Sequence, residues 1–242
     1  MTDLSVNLNK IALLRNSRGR DYPNIVSYAQ RFVDRGVQGI TIHPRPDERH
    51  IKRQDAYDLA EFLRTNKDVE LNIEGYPSDD FLQLIEATKP AQCTLVPDAE
   101  NQLTSDHGWD LHEHYQFLTE IILRIKDFGV RTAIFLDPVL EQVELAAQSG
   151  CDRLELYTES YAEAFGTPDA DRVFQQYREA AQKAQELGLG INAGHDLDLS
   201  NLAKFLTIPA ILEVSIGHAL TVECIDQGMN SVVSQYLAIC HV

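Results

Sequence analysis

The sequence predicts an α/β protein: a single (β/α)8 TIM barrel with additional helices, spanning residues 1–242 as one catalytic domain. Three observations carry that prediction. Eight short apolar runs alternate with stretches of helical spacing along the whole chain. A glycine closes several helical stretches just before the next strand. No GxGxxG turn follows the first run, as an open doubly wound sheet would expect.

The first run is Leu4–Leu8, and Ile25–Val33 follows it with apolar residues near a 3.6 period. Asp34-Arg35-Gly36 then leads into the second run, Gly39–His43. Ala56–Leu63 reads as helix before the third run, Glu70–Glu74, and Phe81–Ala87 before the fourth, Gln92–Pro97. His112–Phe128 is helical in pattern and ends at Asp127-Phe128-Gly129, before the fifth run, Arg131–Asp137. Val139–Ala147 and Gln148-Ser149-Gly150 precede the sixth, Arg153–Thr158. Val173–Leu187, overlapping Glu186-Leu187-Gly188, precedes the seventh, Gly190–Gly194. Leu212–His218 is the eighth, and Val222–Leu237 reads as one closing helix. At the junctions Gly is favoured because the position after a helix takes a left-handed backbone.

Composition narrows the function. The 242 residues are 44% hydrophobic and 24% charged, ordinary for a globular protein with a sizeable core. A net charge of −16 argues against nucleic-acid partners and against an anionic membrane surface. The charge is uneven: residues 1–53 hold ten basic and five acidic groups, or +5, and the rest of the chain −21. A basic N-terminal fifth suits a small anion site; a solvated cluster is the other reading. Cys93, Cys151, Cys224 and Cys240 show no CxxC spacing and read as buried thiols of a reducing compartment. Met1 to Asn9 lacks a signal-peptide pattern, and no apolar run approaches a membrane span, so a cytoplasmic location is expected.

In such barrels chemistry sits at the C-terminal ends of the strands. Nearly every run ends in an ionisable or amide group: Asn7-Leu8-Asn9-Lys10, His43-Pro44-Arg45, Glu74, Asp98, Asp137, Thr158, Asn192 with His195, and Gly217-His218. Glu74 closes an apolar strand, and desolvation raises a carboxyl pKa toward the range of a general base. Glu155 lies between Leu154 and Leu156 and points inward if those leucines face the helices; an ion pair and a catalytic role both remain open. Gly194-His195 and Gly217-His218 suit phosphate binding, because Gly lets backbone N–H groups approach an oxyanion. Arg15, Arg18, Arg45, Arg49 and His50 offer a second anion site, while Arg20, Lys52 and Arg53 read as solvated loop charges. His112 and His114 are two apart, not i, i+4, and no thiolate or Asp-rich loop joins the other histidines, so no metal site is expected.

These segments carry a resemblance. Leu14-Arg15-Asn16-Ser17-Arg18-Gly19, Gly39–Arg45, Asp47–Ile51, Leu71-Asn72-Ile73-Glu74, Leu154–Thr158, Asn192–His195 and Ile216-Gly217-His218-Ala219 keep family order and spacing over nearly the full length. The chain resembles the pyridoxine 5′-phosphate synthase family, the ring-closing enzymes of de novo vitamin B6 synthesis. The resemblance implies condensation of 3-amino-2-oxopropyl phosphate with 1-deoxy-D-xylulose 5-phosphate, without metal or organic cofactor, in a homo-octamer. It implies His43 and Glu74 as proton acceptors and His195 as proton donor. It gives Asn7, Gly217 and His218 to the amino-oxopropyl phosphate, and Arg18, Arg45, His50 and Thr104 to the deoxyxylulose phosphate. Glu155 is expected to support catalysis.

The chain departs from the family pattern at several positions. Asn9 and Lys10 replace an aspartate and a histidine, Asp196 replaces a glycine, Leu13 a threonine and Tyr157 a histidine. Asn9, Lys10 and Asp196 are expected to touch substrate, Asp196 through its backbone N–H. Two other readings stay open: a Schiff-base aldolase or lyase using Lys10 on a phosphosugar, and a non-catalytic phosphometabolite-binding protein.

Overall fold

The structure is a computed structural model, and it describes residues 1–98, 102 and 105–241. Eight parallel strands close in sequence order into a barrel. They are β1 (Asp3–Asn7), β2 (Gly39–Ile42), β3 (Glu70–Gly75), β4 (Gln92–Leu95), β5 (Arg131–Leu136), β6 (Arg153–Tyr157), β7 (Gly190–Gly194) and β8 (Ile211–Ile216). Closure comes from β1 pairing with β8, with Leu4 opposite Val214 and Val6 opposite Ile216.

The helices are α1 (Asn9–Asn16), α2 (Ile25–Val33), α3 (Arg53–Arg64), α4 (Asp79–Thr88), α5 (Leu111–Asp127), α6 (Leu140–Ser149), α7 (Glu159–Ala164), α8 (Ala170–Glu186), α9 (Leu202–Phe205), α10 (His218–Gln227) and α11 (Met229–Cys240). All eight predicted strands are present; β7 keeps its predicted ends, and the others have an end moved by one or two residues. The junction glycines hold the left-handed backbone expected of them, with φ of +87° at Gly36, +79° at Gly129, +81° at Gly150 and +80° at Gly188.

Two helical expectations are corrected. The closing stretch is two helices, because Gly228 (φ +84°) ends α10 and begins α11. A regular apolar spacing on both sides hides that break from a periodicity reading. The short helices α1, α7 and α9 leave no clear apolar period in the sequence; α1 buries only one side and leaves Leu13 and Leu14 exposed.

Alternation along the strands sorts the side chains into two environments. Leu4, Val6, Ile40, Ile42, Leu154 and Leu156 face outward into the core under the helices. The inward residues are largely polar rather than the branched aliphatics that fill many such barrels. Ser5 and Thr41 share a hydrogen bond of 2.7 Å. Lower down, Asn192 donates to Gln92 Oε1 (3.3 Å) and Glu213 Oε1 (3.4 Å), and accepts from Arg153 (3.1 Å). Burying so many polar groups is tolerated because most find partners.

All four cysteines are free. Cys93, Cys151 and Cys240 are buried, whereas Cys224 is only half-buried, short of what the sequence suggested. Burial raises every thiol pKa, to about 12 for Cys151 and Cys240 and about 11 for Cys224. Among the described residues no helix is long and apolar enough to cross a membrane.

Candidate active site

The C-terminal rim of the barrel gathers the predicted groups. His43 follows β2, and its backbone N–H donates to Asn9 Oδ1 at 3.0 Å, which ties the ends of β1 and β2 together. Glu74 lies one residue from the end of β3, where Gly75 packs so tightly under the Phe81 ring that a Cβ there would overlap it. His43 Nδ1 lies 4.0 Å from Glu74 Oε2 and 4.0 Å from Asp98 Oδ2. The two groups are shifted in opposite senses. Burial, then the charges of Arg45, His50 and Arg49, hold the His43 imidazole well below 6.5. Burial, then the carboxylates of Glu155, Asp98 and Glu213, push Glu74 well above the usual carboxylate range.

Asp98, three residues past the end of β4, organises the next part of the rim. Its Oδ2 accepts from the Arg45 guanidinium and from Ser105 Oγ (2.9 Å). Its Oδ1 is buried without a hydrogen-bond partner among the described residues. Arg45 also donates to the Gln102 carbonyl at 2.6 Å, as Arg49 does at 2.8 Å. His50 Nδ1 accepts from the Ile51 N–H (2.9 Å), which leaves the ring proton on Nε2 in the neutral form. Burial, aided by Arg45, Arg49 and Lys10, lowers its pKa to about 4. A cavity of about 650 Å³ opens beside these groups, lined by His43, Arg45, Tyr76, Phe81, Pro97 and Asp98 among others.

Across the rim, Asn7 Oδ1 accepts the Asn9 N–H at 2.9 Å and so starts α1. Gly217 lies against Asn7; a Cβ on it would come within 3.0 Å of the Asn7 Cβ. Helix α10 begins at His218, after Gly217, which has no side chain to cap the first N–H groups. That end of a helix, carrying partial positive charge, suits an anion. Lys10, in the first turn of α1, is half-buried.

On the β6–β7 side, Glu155 points into the barrel as its leucine neighbours required, and accepts from Thr94 Oγ1 (3.3 Å). Burial and the nearby Glu213 carboxylate push its pKa up to about 8. His195 and Asp196 follow β7, and His195 Nδ1 lies 3.0 Å from Asp196 Oδ2. The Tyr157 ring meets the His195 ring edge to face, with centroids 5.0 Å apart. Tyr157 in turn bonds through its hydroxyl to Glu159.

The structure therefore brings together His43, Glu74, Arg45 and His50 on one side, and Asn7, Asn9, Lys10, Gly217 and His218 on another. Glu155, His195 and Asp196 complete the ring. Arg18 is exposed on the segment after α1 and does not line the cavity. Thr104 lies outside the described residues. Arg15 is a correction: it is buried in a bidentate pair with Asp55 (2.5 and 2.8 Å) and donates to the His50 carbonyl (3.1 Å), so it anchors a loop rather than waiting for phosphate. Arg20 and Lys52 line a separate polar cavity, and Arg53 pairs with Asp80. Asp98 is the residue whose part the sequence hid; its place at a strand end was visible, but its pairing with Arg45, 53 positions away, was not. Among the described residues no three His, Cys, Asp or Glu side chains gather as metal ligands.

Comparison with known proteins bears on the fold and on the family. Solved structures of low identity share the fold alone. A mutant tryptophan synthase α-subunit from Pyrococcus furiosus superposes with a TM-score of 0.65 at 13% identity, over 100% of this chain and 98% of that chain. The thiamine phosphate pyrophosphorylase of Pyrococcus furiosus gives 0.63 at 12%, over 99% and 95%. In sequence, the chain is 52% identical over 238 residues to the pyridoxine 5′-phosphate synthase of Christiangramia forsetii, covering 98% of each chain. It is equally 52% identical to that of Cytophaga hutchinsonii, again over 98% of each. Residues 4–242 match the family described as pyridoxal phosphate biosynthesis protein PdxJ, and the chain belongs to that family.

Proposed function

We propose that this chain, as one catalytic unit, condenses 3-amino-2-oxopropyl phosphate with 1-deoxy-D-xylulose 5-phosphate to give pyridoxine 5′-phosphate, phosphate and water. The relatives' name supports the product, and the two candidate anion sites support two phosphorylated substrates. Building an aromatic ring from two carbonyl compounds takes imine formation, several proton transfers, and loss of phosphate and water. A rim of acids and bases supplies those transfers.

The observation that carries this reading is the His43–Glu74 pair. The two side chains stand 4.0 Å apart, the imidazole shifted down and the carboxyl up, so a neutral base sits beside a carboxyl that holds its proton more tightly than usual. Two groups of unlike protonation at one rim position suit a reaction that needs several proton transfers. His43 stays a neutral imidazole at physiological pH and serves as a base. His195 donates a proton from the opposite side, with Glu155 supporting the charge changes from within the barrel. Asn7, Asn9, Lys10, Gly217, His218 and the Asp196 backbone hold the amino-oxopropyl phosphate. Arg45, His50 and Thr104 hold the deoxyxylulose phosphate; the resemblance adds Arg18, which stands exposed off the cavity wall. To hold the phosphate, Arg45 exchanges part of its bonding with Asp98 and Gln102 for phosphate oxygens.

Exposed Leu13 and Leu14 on α1, and Val222 and Ile225 on the adjacent α10, support self-association, here as a homo-octamer. Four free thiols support a reducing, cytoplasmic location. The direct test is to incubate the purified protein with both substrates and follow pyridoxine 5′-phosphate and free phosphate. Folded protein that makes neither refutes the assignment.

A further inference from the structure

His195 and Asp196 are consecutive residues with left-handed backbones, at φ +89° and +56°. A non-glycine residue in this region is strained and persists only where its surroundings hold it. Here they do. Thr158 Oγ1 donates to the Gly194 carbonyl (2.8 Å) and to the His195 carbonyl. Asn201 Nδ2 donates to the Asp196 carbonyl at 3.1 Å. The effect of this strained pair is to fold the Asp196 carboxylate back onto the ring beside it, where Oδ2 meets His195 Nδ1 at 3.0 Å. The Tyr157 ring bears on the same imidazole edge to face.

We infer that Asp196 is a positioning residue: its carboxylate fixes the orientation and tautomer of His195, so that the imidazole gives up its proton from Nε2. This rests on the reading of His195 as proton donor. In the transfer, the Nε2–H bond breaks, its electron pair stays on the ring, and the proton goes to the departing oxygen of the substrate. The neutral ring left behind keeps its remaining proton on Nδ1, against the carboxylate.

Charged and titratable groups face this pair from several elements. Lys10 comes from α1, His218 from α10, Tyr157 from β6 and Glu159 from α7; Asp106 acts on Tyr157, and the Glu155 carboxylate packs on Gly194. The hydrogen bond from His195, then the charges of His195, His218 and Lys10, hold the Asp196 carboxyl below its ordinary range and so keep it ionised. Its side chain is 41% exposed, so solvent screens much of its charge and leaves orientation as the main effect.

The test uses the full-length protein and two variants that tolerate the left-handed backbone, Asp196→Gly and Asp196→Asn. Both are expected to lower kcat about tenfold, the low end for an orienting partner, with KM for each substrate within about twofold of wild type. In ¹⁵N-histidine spectra the neutral His195 ring is expected as the Nδ1–H tautomer in wild type, and as the Nε2–H tautomer in Asp196→Gly. Wild-type kcat in both variants, beside an inactive His195→Ala, overturns the positioning role alone. So does an unchanged tautomer in Asp196→Gly, or a loss confined to KM. A fully active His195→Ala overturns the donor reading and this inference together.

Discussion

The carboxylate of Glu155 fills the space that a side chain on Gly194 would need. Neighbouring strands β6 and β7 thus fit together only because one of them carries no Cβ at this position. Gly194→Ala is expected to force Glu155 aside at a cost of about 1–3 kcal/mol. His195 follows directly, so turnover should fall with stability. A thermal melt and a kcat measurement check this; wild-type values for both contradict it.

Glu155 also ties stability to pH. Its carboxyl is lifted from 4.5 to about 8 in the folded chain. Between those values the folded protein holds a proton that the unfolded chain has released. The stability this group contributes is therefore complete below pH 4.5 and is lost as pH rises through about 8. Glu155→Gln, a permanent mimic of the protonated acid, escapes that loss. The melting temperature of the variant relative to wild type is expected to climb by roughly 3 °C or more from pH 5 to pH 8. A constant difference across that range speaks against a buried, proton-holding Glu155.

Arg45 and Asp98 are buried together, their side chains 5% and 2% exposed. Removing one charge strands the other. Asp98→Ala is expected to destabilise by about 3–5 kcal/mol. Adding Arg45→Met should recover most of that loss, since the orphaned guanidinium is then gone. Melts of the single and double variants decide the matter; additive losses mean the pair is not coupled.

Glu74→Gln keeps the shape of the carboxyl but not its proton chemistry. It is expected to lower kcat by about 10²–10⁴, as is His195→Ala, with melting temperatures near wild type. Folded variants that turn over at wild-type rates exclude these proton-transfer roles.

Lys10 marks the boundary with Schiff-base chemistry. Borohydride added during turnover with a phosphosugar is expected to leave Lys10 unmodified by mass spectrometry. A reduced adduct on that residue favours an aldolase or lyase.

The strands were readable because each is an apolar run ending in a polar group, and a barrel buries its parallel strands on both faces. Gly228 broke the last helix without disturbing its spacing, so the break was silent. At the rim, residue types were readable and pairings were not. Arg15 and Arg45 look alike in sequence, yet one pairs with Asp55, 40 residues on, and the other with Asp98 beside the cavity. His195–Asp196 was adjacent in sequence, but only the left-handed backbone turns adjacency into contact.

The free thiols supply a built-in readout of local opening. Cys224, half-buried on α10, should react first with an alkylating reagent in the native state. Cys93 lies inside β4 and Cys240 at the end of α11, where its carbonyl accepts the Thr2 N–H at 2.9 Å. Alkylation of Cys240 therefore times the release of the chain's ends from each other, while alkylation of Cys93 times the opening of the barrel wall.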